Sequence, residues 1–431
     1  MRTRALKAAI TFILITTAYA DYNETIMQTM YGSVADWVHY SPHPDPSPAC
    51  RLGAPLRVAY FTRHNATLWD WIAVTSHLRA PWTRVNPGLY QAYGLDTTTA
   101  NSVWEALGHM LCHMADILIF SDTIPDARPL LQGGCTTPLI LQVTNRFDHG
   151  IAPRDHDAYT ALMSEAAIQP HVWWVLSNPY EELLISKRGI KLPPSRLKLL
   201  RPLGMNLLHN GSSQPADTDR SRFALVEPLR SNRLENTVIL PWLRSNSLTD
   251  NLQLYRQPHA GPAALAQHRA VIAVPYQMSA LKMYEGLSAG AVFVVPSPAF
   301  LRNLTSQLDA SQMAFCCRDL LHDYPDSWQD YFDWYHKDFI NAHILFDSWE
   351  HLKRLIKDRE GTGKLVEEKR VVGKEAMRLS RQRTLDGYSS LYRSLSQQAC
   401  GMARMERKKG GARVASHEQE LLAVISNWMR D

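Results

Sequence analysis

The chain has 431 residues, 45% of them hydrophobic and 20% charged, a balance that excludes a disordered polymer and leaves room for two domains with extensions. Its net charge of +5 is small for this length and is partly carried by one basic cluster, Arg404 to Arg413. Charge therefore gives no argument for nucleic-acid binding.

The N-terminus reads as a targeting segment. "MRTRALK" is a basic start, "AAITFILITT" an apolar run, and "AYA" before Asp21 has the small-x-small form of a signal-peptidase site. The run falls short of the roughly 20 apolar residues that a spanning helix needs. A cleaved signal over residues 1–20 is expected, with an uncleaved anchor as the alternative, and either directs the chain to the lumen of the secretory pathway or outside the cell. Asn23, Asn65, Asn210 and Asn303 each begin an N-x-Ser/Thr acceptor sequence. Six Cys, at 50, 112, 135, 316, 317 and 400, fit disulfides in an oxidising compartment and match no zinc or redox spacing. Adjacent Cys316 and Cys317 are not expected to bond each other.

Residues 21–52 form a polar lead ending in the Pro-rich "HYSPHPDPSPAC", a linker pattern. Apolar runs follow at "LRVAYF", "ADILIF", "PLILQVTN", "VWWVLSN" and "LKLLRPLG", with helix patterns such as "SVWEALGHMLCHM" and "DAYTALMSEAAI" between them. Runs without strict alternation mark strands covered on both faces of a parallel sheet. Residues 53–208 are thus expected to form one Rossmann-like domain. A turn-rich linker covers 209–222, and a second series occupies 223–345: "FALVEPL", "TVILPW", "LQLYR", "AVIAVP" and "AVFVVPS". The last hundred residues turn helical and charged. Asp347 and Glu350 have capping-box spacing, and residues 346–431 form C-terminal helices.

The stretch "VIAVPYQMSALKMYEGLSAGAVFVVPS" reads as strand, helix, strand. Ser279 is the expected N-cap and Gly290 the C-terminal cap. Lys282 in the first turn opposes the helix dipole, at a cost of roughly 0.3–1 kcal/mol, unless an anion such as a diphosphate sits there. Glu285 shares a face with Lys282 and can accept hydrogen bonds from ribose hydroxyls. A surface ion pair is the competing reading of the same spacing.

"YEGLSAGAVFVVPS" resembles the donor-binding segment of glycosyltransferases with the GT-B fold, with matches at Glu285, Ala289, Gly290 and Val294–Val295. The wider "PYQMSALKMYEGLSAGAVFVVPSPAFL" is similar to a group of eukaryotic glycosyltransferase-like proteins of the secretory pathway. "FDSWEHLKRLIKDREGTGKLVEEKRVVG" is similar to the end of such enzymes, where the chain crosses back to the first domain. The resemblance covers about residues 263–382. It implies an α/β fold of two Rossmann-like domains across a cleft, a nucleotide-sugar co-substrate without a separate cofactor, and a glycan or glycoprotein acceptor. It implies diphosphate contacts from Ser279, Lys282 and Arg244, and ribose contacts from Glu285. A second Glu common seven or eight residues ahead of the first is missing here, where Gln277 and Met278 stand.

In this family the acceptor and base come mainly from the first domain. "QVTNRFDHGI" follows a strand and offers Asp148 and His149 as the candidate catalytic base and Asn145 as an acceptor contact. "YFTRHN" places Arg63 and His64 on the acceptor side, and "SNPYEE" reads as a helix start with Asn178 as cap and Pro179 first. The Asp-x-Asp triplets at Asp155–Asp157 and Asp217–Asp219 do not end apolar strands, so no metal is expected. The expected activity is glycosyl transfer to a hydroxyl. A catalytically silent glycan-binding relative and a nucleotide-sugar epimerase on the same frame stay open.

Overall fold

The computed structural model describes residues 55–205, 220–227, 233–256, 261–313 and 315–409. The signal-like segment, the sequons at Asn23 and Asn210, Cys50, Asp217–Asp219 and the last amphipathic stretch lie outside the described residues.

Six strands form the first sheet: β1 (Val58–Phe61), β2 (Trp82–Val85), β3 (Ile117–Ser121), β4 (Leu139–Val143), β5 (Val172–Leu176) and β6 (Leu197–Leu199). They run parallel in the order β2-β1-β3-β4-β5-β6. Their apolar runs lack alternation because both faces are covered. Ala59, Phe61, Leu118, Phe120 and Trp174 enter one core, which includes Tyr159 and Met163 of the helix His156–Ile168. Val58, Tyr60, Ile117, Ile119 and Val175 enter the other, under Trp71 and Ile72 of the helix Asn65–Leu78.

The second sheet holds β7 (Phe223–Glu227), β8 (Leu252–Arg256), β9 (Val271–Ile272), β10 (Phe293–Pro296) and β11 (Ile344–Phe346). It is also parallel, ordered β11-β10-β9-β7-β8. Each sheet thus places its own first strand between its second and third, and the strand order reverses there. In such sheets ligands bind beyond the strand carboxyl ends at that reversal. Two parallel α/β units joined in this way, with a helical C-terminal region, make the layout GT-B-like.

Three local expectations are corrected. "TVILPW" is not a strand: Glu235–Ile239 and Leu240–Ser245 are helical. Glu235, Ile239 and Leu243 are buried at helical spacing, so packing against the sheet overrides the β-branched propensity. The aromatic stretch 326–344 is not a helix. It has short 3₁₀ turns at Trp328–Tyr331 and Ile340–Ala342, and Trp328, Phe332 and Tyr335 pack on one another with ring centroids 5.3–5.7 Å apart. The cap of the helix Trp349–Lys357 is Ser348, whose hydroxyl accepts from the His351 amide at 3.1 Å, rather than Asp347.

One helix, Arg359–Lys409, joins the two halves. Its Val366 and Met377 belong to the second-domain core, and its Tyr388, Leu391 and Leu395 to the first. The helix Pro179–Lys187 also crosses over: Lys187 pairs with Asp323 at 2.7 Å, and Tyr180 and Leu183 pack on the second-domain core. No helix among the described residues is long and apolar enough to cross a membrane.

Candidate functional site

Strand ends of the first sheet meet the start of one second-domain helix. Gln142, Thr144 and Ser177, at the ends of β4 and β5, line a cavity of about 20 Å³ together with Arg201 and with Leu281, the first residue of the helix Leu281–Ala289. That helix follows β9, the strand at the order reversal of the second sheet. The cavity is wide enough for one water. Thr144 Oγ1, Gln142 Oε1 and Arg201 Nη2 are buried there without protein partners.

Helix geometry relates the other donor-side residues to Leu281. Glu285 lies four residues after Leu281, hence on the same face, and is half-buried. Met283, Tyr284 and Leu287 are buried in the second-domain core. Gly290 ends the helix at φ 88°, a left-handed conformation that glycine adopts without a Cβ clash. Lys282 has a neighbour that the sequence did not point to. Burial pushes its ammonium down to about 8, opposed by the carboxylate of Glu235. Glu235 is itself buried, and its pKa is raised by that burial.

Two donor-side expectations are corrected. Ser279 is not the N-cap, since Ala280 holds that position and the helix starts at Leu281. Ser279 instead belongs to the loop that leads into the helix, where it acts electrostatically on the buried Asp333. Arg244 is exposed in the last turn of the helix after β7. That helix runs back from the carboxyl end of β7, so its own end lies toward the opposite edge of the sheet, away from the donor helix.

On the first sheet, the reversal between β1 and β3 brings together residues that sequence spacing separates. Asp122 directly follows β3 and adopts φ 70°, an uncommon left-handed conformation for a non-glycine residue. Burial raises its pKa, and His64 and His149 act electrostatically in the opposite sense. Both imidazoles are exposed. The His149 ring meets Tyr93 edge-on at 5.5 Å. This group of a shielded carboxylate and two exposed imidazoles can take and hold a proton. Sequence reasoning named His64 and His149 and missed Asp122. "ILIFSD" carries the same signal as "LILQVTNRFD", a polar group after a buried strand.

Two first-domain candidates are corrected. Asp148 is 3% exposed and is consumed by ion pairs, at 2.9 Å with Arg146 and 3.2 Å with Arg188. Arg63 is committed to Asp126 through two bonds of 2.7 and 2.9 Å and donates to the carbonyls of Gln91 and Ala92. It anchors the loop that carries Tyr93. Asn145 turns onto its own loop, its Oδ1 accepting from the Arg146 amide at 2.9 Å. Asn178 caps its helix through Glu181 N at 3.3 Å, and burial pushes the Glu181 carboxyl up to about 8.

Of the sequon residues described, Asn65 and Asn303 are exposed, and Asn65 stands directly beside His64. The cysteines differ from expectation in one respect: Cys316 and Cys317 are bonded to each other, while Cys112 pairs with Cys135 and Cys400 is also disulfide-bonded. No cluster of three or more His, Cys, Asp or Glu arranged to hold a metal occurs among the described residues.

No protein-family model matches this chain, and no curated protein matches it either. Solved structures do align. The glycotransferase of kitacinnamycin shares 12% identity, over 80% of this chain and 99% of that one, at a TM-score of 0.41. HepE of Anabaena, solved with UDP and glucose, shares 9% identity over 80% and 99%, at 0.46. A UDP-N-acetylglucosamine 2-epimerase shares 10% identity over 75% and 93%, at 0.38. These identities and scores assign neither a family nor an activity.

Proposed function

We propose that this chain is a glycosyltransferase that moves a sugar from a nucleotide-sugar donor to a hydroxyl acceptor. The observation that carries the reading is the shared interdomain space: strand ends of the first sheet and the start of the helix Leu281–Ala289 line one cavity. In this reading both sheets present their ligand-binding ends to each other. The donor diphosphate lies at the N-terminal end of that helix, beside Lys282, where N–H groups and the dipole favour an anion. Glu285, on the face shared with Leu281, accepts the ribose hydroxyls.

Across the space, an imidazole of His64 or His149 takes the proton of the acceptor hydroxyl while Asp122 stabilises the imidazolium. The acceptor oxygen forms its bond to the anomeric carbon, and the bond from that carbon to the donor phosphate oxygen breaks. The nucleoside diphosphate leaves with the electron pair. In this reading charge is balanced by Lys282 and the helix end, and no metal or further cofactor is required. The disulfides support a lumenal or secreted setting, with a glycan or glycoprotein as acceptor.

The test is a panel of nucleotide sugars screened for thermal stabilisation, followed by assay of nucleoside diphosphate release with and without hydroxyl acceptors. At least one donor should stabilise the protein, and release should rise when acceptor is added. Conversion of the sugar with no acceptor would mark an epimerase. Glycan binding with no response to any nucleotide sugar would mark a silent binding module.

A further inference from the structure

The donor helix is tied to the interdomain segment through a single buried carboxylate. Asp333 is 0% exposed. Its Oδ1 accepts from Arg201 Nε at 3.1 Å and its Oδ2 accepts from the Tyr284 hydroxyl at 2.5 Å. Its own amide donates to the Met278 carbonyl at 2.9 Å. Tyr284 precedes Glu285 on the helix, while Ser279 and Met278 belong to the loop that leads into it. Arg201 belongs to the segment that leaves the first sheet after β6.

That segment is clamped on its other sides as well. The carboxylate of Asp70 accepts from the amides of Leu203 and Met205 at 2.7 and 2.8 Å. Arg381 of the long C-terminal helix donates to the carbonyls of Leu203 and Gly204 at 2.6 and 3.0 Å. Thr384 donates to the carbonyl of Arg201 at 3.0 Å. Gly204, at φ 63°, lies so close to the donor helix that a Cβ there would stand 2.5 Å from the Tyr284 carbonyl and 2.9 Å from the Glu285 amide. The backbone of Glu285 and the interdomain segment are therefore in direct register, and Asp333 is the hub that both sides bond.

A buried carboxylate bonded through both oxygens has a restricted geometry, and removing a partner leaves an uncompensated charge. Motion of the helix and motion of the segment cannot proceed independently while that hub is intact. We propose that Asp333 is a positioning residue that ties the setting of Glu285 to the interdomain segment 201–205, so that occupancy of the nucleotide site and the relative setting of the two domains are coupled. The coupling to nucleotide rests on the donor reading above; the mechanical tie does not.

The test combines hydrogen exchange with titration by UDP, GDP and TDP. Tyr284→Phe removes only one hydroxyl on the helix side and keeps the buried ring. Exchange in this variant should rise in 281–289 and also in 201–205, and nucleotide affinity should fall about fivefold or more. In the wild type, nucleotide should slow exchange in both segments. In Tyr284→Phe it should slow the helix alone. Asp333→Asn should show the same pattern more strongly, and Tyr284→Phe decides the matter if Asp333→Asn does not fold. Faster exchange confined to the helix, or unchanged exchange throughout, overturns the tie. If the wild type binds none of the three nucleotides while exchange in the two segments stays linked, the tie stands and the donor reading falls.

Discussion

The two sheets share one strand order, yet their carboxyl ends are built differently. On the first sheet the ionisable side chains of the site, His64 and His149, stand exposed on loops, and Asp122 alone is shielded. On the second, Glu235 is buried, Lys282 and Glu285 are half-buried, and Tyr284 bonds the wholly buried Asp333. An edge held by a buried polar network keeps one geometry, while an edge of exposed loops can accept varied partners. The contrast fits a fixed donor facing an acceptor of looser definition, and it says where substitutions should act on chemistry and where on stability.

The largest expected effect is on the first edge. Asp122→Asn should lower turnover by about 10²-fold or more, because the imidazole that takes the proton loses the carboxylate that stabilises its charged form, while nucleotide-sugar affinity stays within about twofold in a calorimetric titration. Equal loss of binding and turnover would move Asp122 out of the chemistry and blur the contrast. Asp148→Asn should act in the opposite way. It weakens ion pairs whose Arg146 and Arg188 partners are about half exposed, at a cost on the order of 1 kcal/mol, seen as a lower midpoint in denaturant, with kcat of the folded fraction unchanged. A selective fall in kcat would return Asp148 to the site.

A third effect is smaller and depends on pH. Burial raises the folded-state pKa of Glu181 from 4.5 to about 8 and that of Asp70 from 3.8 to about 6. Between its ordinary and its raised value, each group holds in the folded state a proton that the unfolded chain has released. Stability from these groups is therefore complete below the ordinary values and is lost as pH rises toward 8. The melting temperature should fall from pH 5 to pH 8, and Glu181→Gln should flatten the part between 6 and 8. A profile unchanged by the substitution would refute this assignment. Smallest of all, Arg244→Ala should leave stability within about 0.5 kcal/mol and donor affinity unaltered. A clear loss of affinity would require the back edge of the second sheet to take part.

Much of this frame was legible in the sequence because buried parallel strands leave a simple trace. "VWWVL" and "ILIFS" are apolar throughout since both their faces meet helices. The end of the donor helix was legible too, because Gly290 supplies a conformation that other residues resist. Failures arose where tertiary packing decides. Thr237–Ile239 carries strand-favouring side chains but turns helical so that Glu235, Ile239 and Leu243 can face the sheet. Asp148 looked like a base because it follows a strand, and only the fold brings Arg188 against it. Asp122 was missed for the converse reason: nothing local says that β3 lies beside β1, which alone puts that carboxylate near His64.

One titration tests the donor site most directly. Binding of the best-stabilising nucleotide sugar should be measured by calorimetry for the wild type and for Glu285→Ala, with melting temperatures recorded in parallel. The half-buried carboxylate on the Leu281 face predicts at least a tenfold loss of affinity, about 1.4 kcal/mol, with the melting temperature of the free protein unchanged. Equal affinity in both proteins would contradict a ribose contact at Glu285 and, with it, the nucleotide site between the two sheets.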